Sequence, residues 1–112
     1  MAVESIAAAS GATARVEYQS GYPPVVNHAS GVARAAAACE GILQFIECDP
    51  TMYGEDFAHY LQKVPGAFVF LGAGNPGAGI TEPCHSPKFR IDESALALGP
   101  ALLARIALSA GA

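Results

Sequence analysis

The chain has 112 residues, of which 52% are hydrophobic and 14% charged, and its mean hydropathy is +0.31. Charge this sparse, against about 25% in an average globular domain, excludes a solvated disordered tail as a description of the whole. Six Lys and Arg against ten Asp and Glu give a formal charge of -4, so no basic face can follow a phosphate backbone, and nucleic acid is not an expected partner.

The first element is a helix over 3–10, rich in Ala with Ile6 at its centre, and Gly11 stands where a C-cap glycine belongs. From 13 to 19, Ala14, Val16 and Tyr18 alternate with Arg15 and Glu17, the period-two pattern of a strand with one buried face. Gly21-Tyr22-Pro23-Pro24 forbids regular structure and marks a hinge or linker. A second helix spans 31–40, with Val32 and Cys39 on one face, and Gly41 closes it. Residues 42–46 suit a strand running into the turn Asp49-Pro50-Thr51.

A helix over 54–63 opens with Glu55 and Asp56, which suit the positive end of its dipole, and stops at Pro65-Gly66. Residues 67–71 are apolar throughout, as in a central strand covered on both faces. A Gly-rich loop over 72–79 leads through Pro83-Cys84-His85-Ser86-Pro87 to Asp92, placed to cap a last helix over 93–109. There Leu96, Leu103 and Ile106 form the expected buried stripe, and Pro100 should kink the helix or restart it. The class expected is α/β, without internal repeats.

Apolar runs such as 35–39 and 67–71 fall far short of the about 20 residues a membrane helix needs. The N-terminal Met1-Ala2-Val3-Glu4-Ser5 lacks the basic region and apolar core of a secretory signal. Cys39, Cys48 and Cys84 are odd in number and never spaced Cys-x-x-Cys, which argues for reduced thiols and a cytoplasmic setting. Twelve Gly and eight Pro imply many turns around a small core, so the chain is expected to be part of something larger.

Gly72-Ala73-Gly74-Asn75-Pro76-Gly77 spells G-x-G-x-x-G after a strand-like run. Pro76 and Pro83, however, deny the helix that a dinucleotide fingerprint requires, so an ordinary loop is expected. Glu55 and Asp56 read locally as solvated partners of a helix dipole. His28, His59 and His85 show no metal-ligand spacing. His85 differs in context: it stands in a Pro-bounded loop after the expected central strand, where α/β proteins place their sites.

In combination these segments resemble the C-terminus of M20-family metallopeptidases, and more narrowly the amidohydrolase branch that includes hippurate hydrolases and N-acyl-amino-acid deacylases. The resemblance rests on Gly54-Glu55-Asp56-Phe57, Tyr60-Leu61, Val64-Pro65-Gly66-Ala67-Phe68, Leu71-Gly72, His85-Ser86-Pro87-Lys88-Phe89 and Asp92-Glu93-Ser94-Ala95-Leu96. Tyr22-Pro23-Pro24-Val25-Val26-Asn27 resembles the point where such chains leave their lid domain.

The resemblance implies a zinc-peptidase-like α/β domain preceded by the last helix and strand of a ferredoxin-like lid. Residues 1–22 would end the lid or dimerisation domain, and residues 23–112 would form the C-terminal part of the catalytic domain. It also implies a binuclear divalent site, zinc or manganese, that activates water to cleave N-acyl amino acids. His85 matches the family's last metal ligand, and Gly54, Glu55 and Asp56 match the loop bordering the substrate pocket. Tyr53 is bulkier than the small residue common in that loop, Cys84 replaces an aliphatic residue, and His28 stands where aspartate is common. The other four metal ligands and the glutamate base have no counterpart here. The chain is therefore expected to be an inactive remnant or a fragment that needs a missing N-terminal segment. The competing reading is a non-enzymatic, homo-oligomeric binding module whose open sheet edge a second copy covers.

Overall fold

The computed structural model describes residues 2–109 and builds them from helices and extended chain. The helices are α1 (Ala2–Ala9), α2 (Ala29–Cys39), α3 (Ala58–Leu61) and α4 (Ala95–Ser109), with a 3₁₀ turn at Pro76–Ala78. The strands expected over 13–19, 42–46 and 67–71 form no ladder among the described residues; the one β-bridge joins Asn75 to Ile80. A strand is defined by its partner as well as by its own alternation, and these segments have no partner strand among the described residues. Among the described residues the expected α/β class is represented by helices and unpaired extended segments alone, with no sheet.

Local chemistry shapes α1. Its Ala-rich sequence favours helix, and it ends in a Schellman turn in which Ala12 N–H donates to the Ala7 carbonyl at 2.9 Å and Gly11 N–H to Ala8 at 3.0 Å. Gly11 takes φ 71°, a left-handed conformation that suits glycine. No residue of α1 is buried, and Ile6 remains 69% exposed.

Tertiary packing begins with α2 and α4. Ala38 and Cys39 of α2 close on Leu102 of α4, with Leu43 and Ile106 partly buried at the margin. The small side chains of Ala35 and Ala38 let the helices approach. Arg105 fastens the pair by donating from Nη1 to the carbonyls of Ala38 at 3.0 Å and Glu40 at 2.6 Å, so a cation satisfies the carbonyl end of α2. The stripe expected on α4 is rotated: Ala95 and Leu102 are buried, whereas Leu96 and Leu103 are 59% and 66% exposed. Small Ala95 and Gly99 allow close approach on that face, while bulky Leu96 and Leu103 are directed away from α2. The helix runs through Pro100 without a restart.

The helix expected over 54–63 condenses to α3. Glu55 Oε1 accepts the Phe57 N–H at 3.1 Å and holds the chain in a turn, so regular helix starts only at Ala58. Residues 66–68 run beside Asn27 and His28. Gly31 lies so close to them that a Cβ there would stand 2.4 Å from the Gly66 carbonyl carbon. The whole is open: its radius of gyration is 20.5 Å and its extents are 65 × 39 × 18 Å, against about 13 Å for a compact domain of this length.

Candidate functional site

The loop that carries His85 is held by its neighbours. Ser86 Oγ donates to Glu82 Oε2 at 3.0 Å and accepts the Lys88 N–H at 3.2 Å. The Ser86 N–H donates to the Pro83 carbonyl at 3.2 Å, and the Ser86 carbonyl accepts the Phe89 N–H at 3.0 Å. Two consecutive turns result, with Ser86 as their hub. His85 enters them at φ 70°, the one positive φ of a non-glycine residue among those described. That conformation costs about 1–2 kcal/mol for a residue with a Cβ, and it persists where the surrounding bonds over-determine it. The imidazole is exposed and makes no hydrogen bond among the described residues.

A second tie fixes the loop's base to the start of α4. Asp92 Oδ2 accepts from Asn75 Nδ2 at 2.6 Å, Oδ1 accepts the Ser94 N–H at 3.0 Å, and the Asp92 N–H donates to the Ala73 carbonyl at 2.8 Å. The hydrogen bond from Asn75, and then those from Ser94, hold the Asp92 carboxyl below its ordinary range, against a smaller opposing effect of desolvation. The Gly-rich loop closes through Asn75, whose Oδ1 accepts the Ala78 N–H at 3.2 Å, into a 3₁₀ turn of three residues. It presents no helix N-terminus to a pyrophosphate, in agreement with the ordinary loop expected from Pro76.

The structure places Gly54, Glu55 and Asp56 in a separate cluster. Gly54 lies against Tyr22, which meets His59 edge-on at 6.1 Å. The Glu55 carboxylate accepts the Phe57 N–H in the turn before α3, and Asp56 is exposed. Beside them runs an aromatic row that sequence reasoning did not assemble: Tyr60 to Phe57 at 5.7 Å, Phe57 to Phe68 at 5.6 Å, Phe68 to Phe70 at 5.3 Å and Phe70 to Tyr53 at 6.5 Å. The helical spacing of Phe57 and Tyr60 and the apolar run that holds Phe68 and Phe70 were visible in the sequence. Their meeting was not, because it depends on how α3 folds back onto residues 66–70. No hydrogen bond or ring contact links this cluster to His85.

Among the described residues no three His, Cys, Asp or Glu side chains converge on a point that could hold a metal ion. A binuclear site needs several deprotonated donors around each cation, and one imidazole does not fit that requirement. The described residues therefore do not fit the binuclear divalent site that the resemblance implies. No helix of the described residues is long and apolar enough to cross a membrane.

Comparison with known proteins decides the family. The profile of Peptidase family M20/M25/M40 matches residues 2–109. The chain belongs to this family. It is 39% identical to the putative amidohydrolase YhaA of Bacillus subtilis over 96% of this chain and 28% of that protein. It is 38% identical to thermostable carboxypeptidase 1 of Saccharolobus solfataricus over 87% of this chain and 25% of the relative. With the N-acetyl-L-cysteine deacetylase of Bacillus subtilis it shares 40% identity over 83% of this chain and 21% of the relative. This M20 chain thus spans about a quarter of the length of these relatives. No solved structure matches it. Membership implies a zinc-peptidase-like α/β fold, of which the described residues supply helices and unpaired extended segments.

Proposed function

We propose that this M20 chain is the C-terminal part of an amidohydrolase of N-acyl amino acids, that His85 is its one contribution to the metal centre, and that alone it does not hydrolyse amides. The observation that carries this reading is His85 itself. A histidine in the left-handed region, fixed by the bonds of Ser86, stands within the string His85-Ser86-Pro87-Lys88-Phe89. Residues held in sparsely populated backbone conformations cluster at functional sites, which supports a role for this exposed imidazole. Residues 54–56 then border the substrate pocket, with Glu55 shaping the start of α3. The matched relatives named as an amidohydrolase and a deacetylase support amide cleavage as the reaction class.

The test is an assay of the purified chain on N-acetyl and N-benzoyl amino acids with Zn²⁺ or Mn²⁺ added. Turnover at the rate of the metal-only blank is expected. Robust turnover that requires the metal, and is lost in His85→Ala, would show that this chain holds a complete site and overturn the proposal.

A further inference from the structure

His28 differs from His59 and His85 in having a ring nitrogen bonded to backbone. The Gly66 N–H donates to its Nδ1 at 3.3 Å, while the His28 N–H donates to the Gly66 carbonyl at 2.9 Å. These two bonds form a reciprocal pair between the residue before α2 and the stretch that follows α3. A second pair lies beside it: the Phe68 N–H donates to Asn27 Oδ1 at 2.7 Å, and Asn27 Nδ2 donates to the Phe68 carbonyl at 2.9 Å. The two pairs answer differently to acid. A side-chain amide does not titrate, whereas Nδ1 of an imidazole accepts only while it carries no proton, and an imidazolium donates from both nitrogens.

Gly66 has little freedom to follow a moving ring. A Cβ on Gly31 would stand 2.4 Å from the Gly66 carbonyl carbon, and a Cβ on Gly66 itself would stand 3.3 Å from Leu61 Cδ2. The backbone is thus hemmed in by α2 on one side and α3 on the other, and Pro65 before it has no N–H to offer in exchange. When Nδ1 gains a proton, two donors face each other across the joint, and the half-buried Gly66 N–H loses its acceptor.

No opposite charge compensates for that loss. On α2 the ionisable side chains are Arg34 and, at the far end, Cys39; along 57–72 they are His59, Tyr60 and Lys63; Tyr22 lies on the segment that leads to His28. Neither 20–39 nor 57–72 contains an Asp or Glu. In the adjoining turn Glu55 accepts the Phe57 N–H and Asp56 is exposed, and neither bonds the His28 ring among the described residues. We propose that the pairing of His28 with Gly66 is a pH-operated clasp, closed while the imidazole is neutral and released when it is protonated. The clasp is present at higher pH and lost as pH falls. Release frees the Gly66 end of the stretch that begins at residue 54, while Phe68 stays tied to Asn27 and serves as an internal control.

The proposal involves neither metal nor amide cleavage, so it is tested on the ¹⁵N-labelled chain alone by nuclear magnetic resonance between about pH 8 and about pH 5, the interval that brackets imidazole titration. At the upper pH the His28 ring is expected in its Nε2–H form. On acidification the Gly66 amide signal should follow the titration of that ring, and its protection against exchange should fall at least about tenfold, against less than about twofold at Phe68. His28→Asn keeps an acceptor that does not titrate, and in it Gly66 should be equally protected at both pH values. An Nδ1–H ring at the upper pH overturns the proposal, as does a Gly66 amide that stays protected while the ring titrates. Persistence of the acid-induced loss in His28→Asn also overturns it, and so does equal loss at Gly66 and Phe68, which would report general unfolding in acid.

Discussion

Residues 2–20 and residues 27–109 are built by different rules. In the first region α1 forms and ends correctly, with its Schellman turn in place, yet no side chain is buried and Tyr18 is 87% exposed. In the second, helices of comparable composition are joined by long-range bonds: Arg105 to the end of α2, Asn27 to Phe68, Asp92 to Asn75. Local propensity is enough to specify a helix but not to fix it in space. An isolated helix of eight residues is marginal in water, so α1 waits on a surface to pack against, while α2 and α4 already have one.

Substitutions can break or sharpen that contrast. The largest effect is expected at Gly31→Val, because its Cβ meets Gly66 backbone that cannot rotate away. A loss of about 3 kcal/mol is expected from such overpacking, read as a lower urea midpoint. A midpoint that did not move would mean that α2 and residues 66–68 are not held together in solution. Next comes Asn27→Ala, which strips Phe68 of both its bonds and should cost about 1–2 kcal/mol. Amide exchange should accelerate at Phe68 while α1 amides are unaffected.

Acid should act through Asp92. Its carboxyl titrates lower in the folded chain than the about 3.9 of an unfolded aspartate. The contribution is therefore fully present above that pH and is lost as pH falls through the folded value. Asp92→Asn should flatten the acid limb of an unfolding titration, and an unchanged limb would remove Asp92 from the tie between loop and helix. The smallest effect belongs to α1: Ile6→Ser, at a side chain 69% exposed, should shift the urea midpoint of the α2–α4 unit by less than about 0.5 kcal/mol equivalent. A larger shift would show that the first region contributes to the core after all.

The candidate site was partly legible in advance. His85 stood out because a histidine between Pro83 and Pro87 in a recognisable string is a local pattern. Its left-handed backbone was not readable, since it arises from Ser86 bonding to Glu82 and Lys88 together. Asp92 was expected as a cap, and it does bond the Ser94 N–H, but its second bond to Asn75 joins residues 17 apart. Glu55 was expected inside the first turn of a helix over 54–63, but it lies in the turn before α3. Its bond from the Phe57 N–H, and the shortening of α3 to Ala58–Leu61, depended on a turn that composition does not encode.

What the sequence determined by itself was carried by neighbours in the chain: the presence of the helices, the turn-forming loops and the motif string around His85. These follow from propensity, capping and spacing, which act over a few residues. Only the tertiary structure decided which face of α4 is buried and which segments remain unpaired. A helix stripe is selected by what it packs against, and here Ala38 and Cys39 of α2 meet Leu102 while Leu96 and Leu103 stay exposed. A strand likewise exists only with its partner, and residues 67–71 have all the apolar character of a central strand yet pair in no ladder among the described residues.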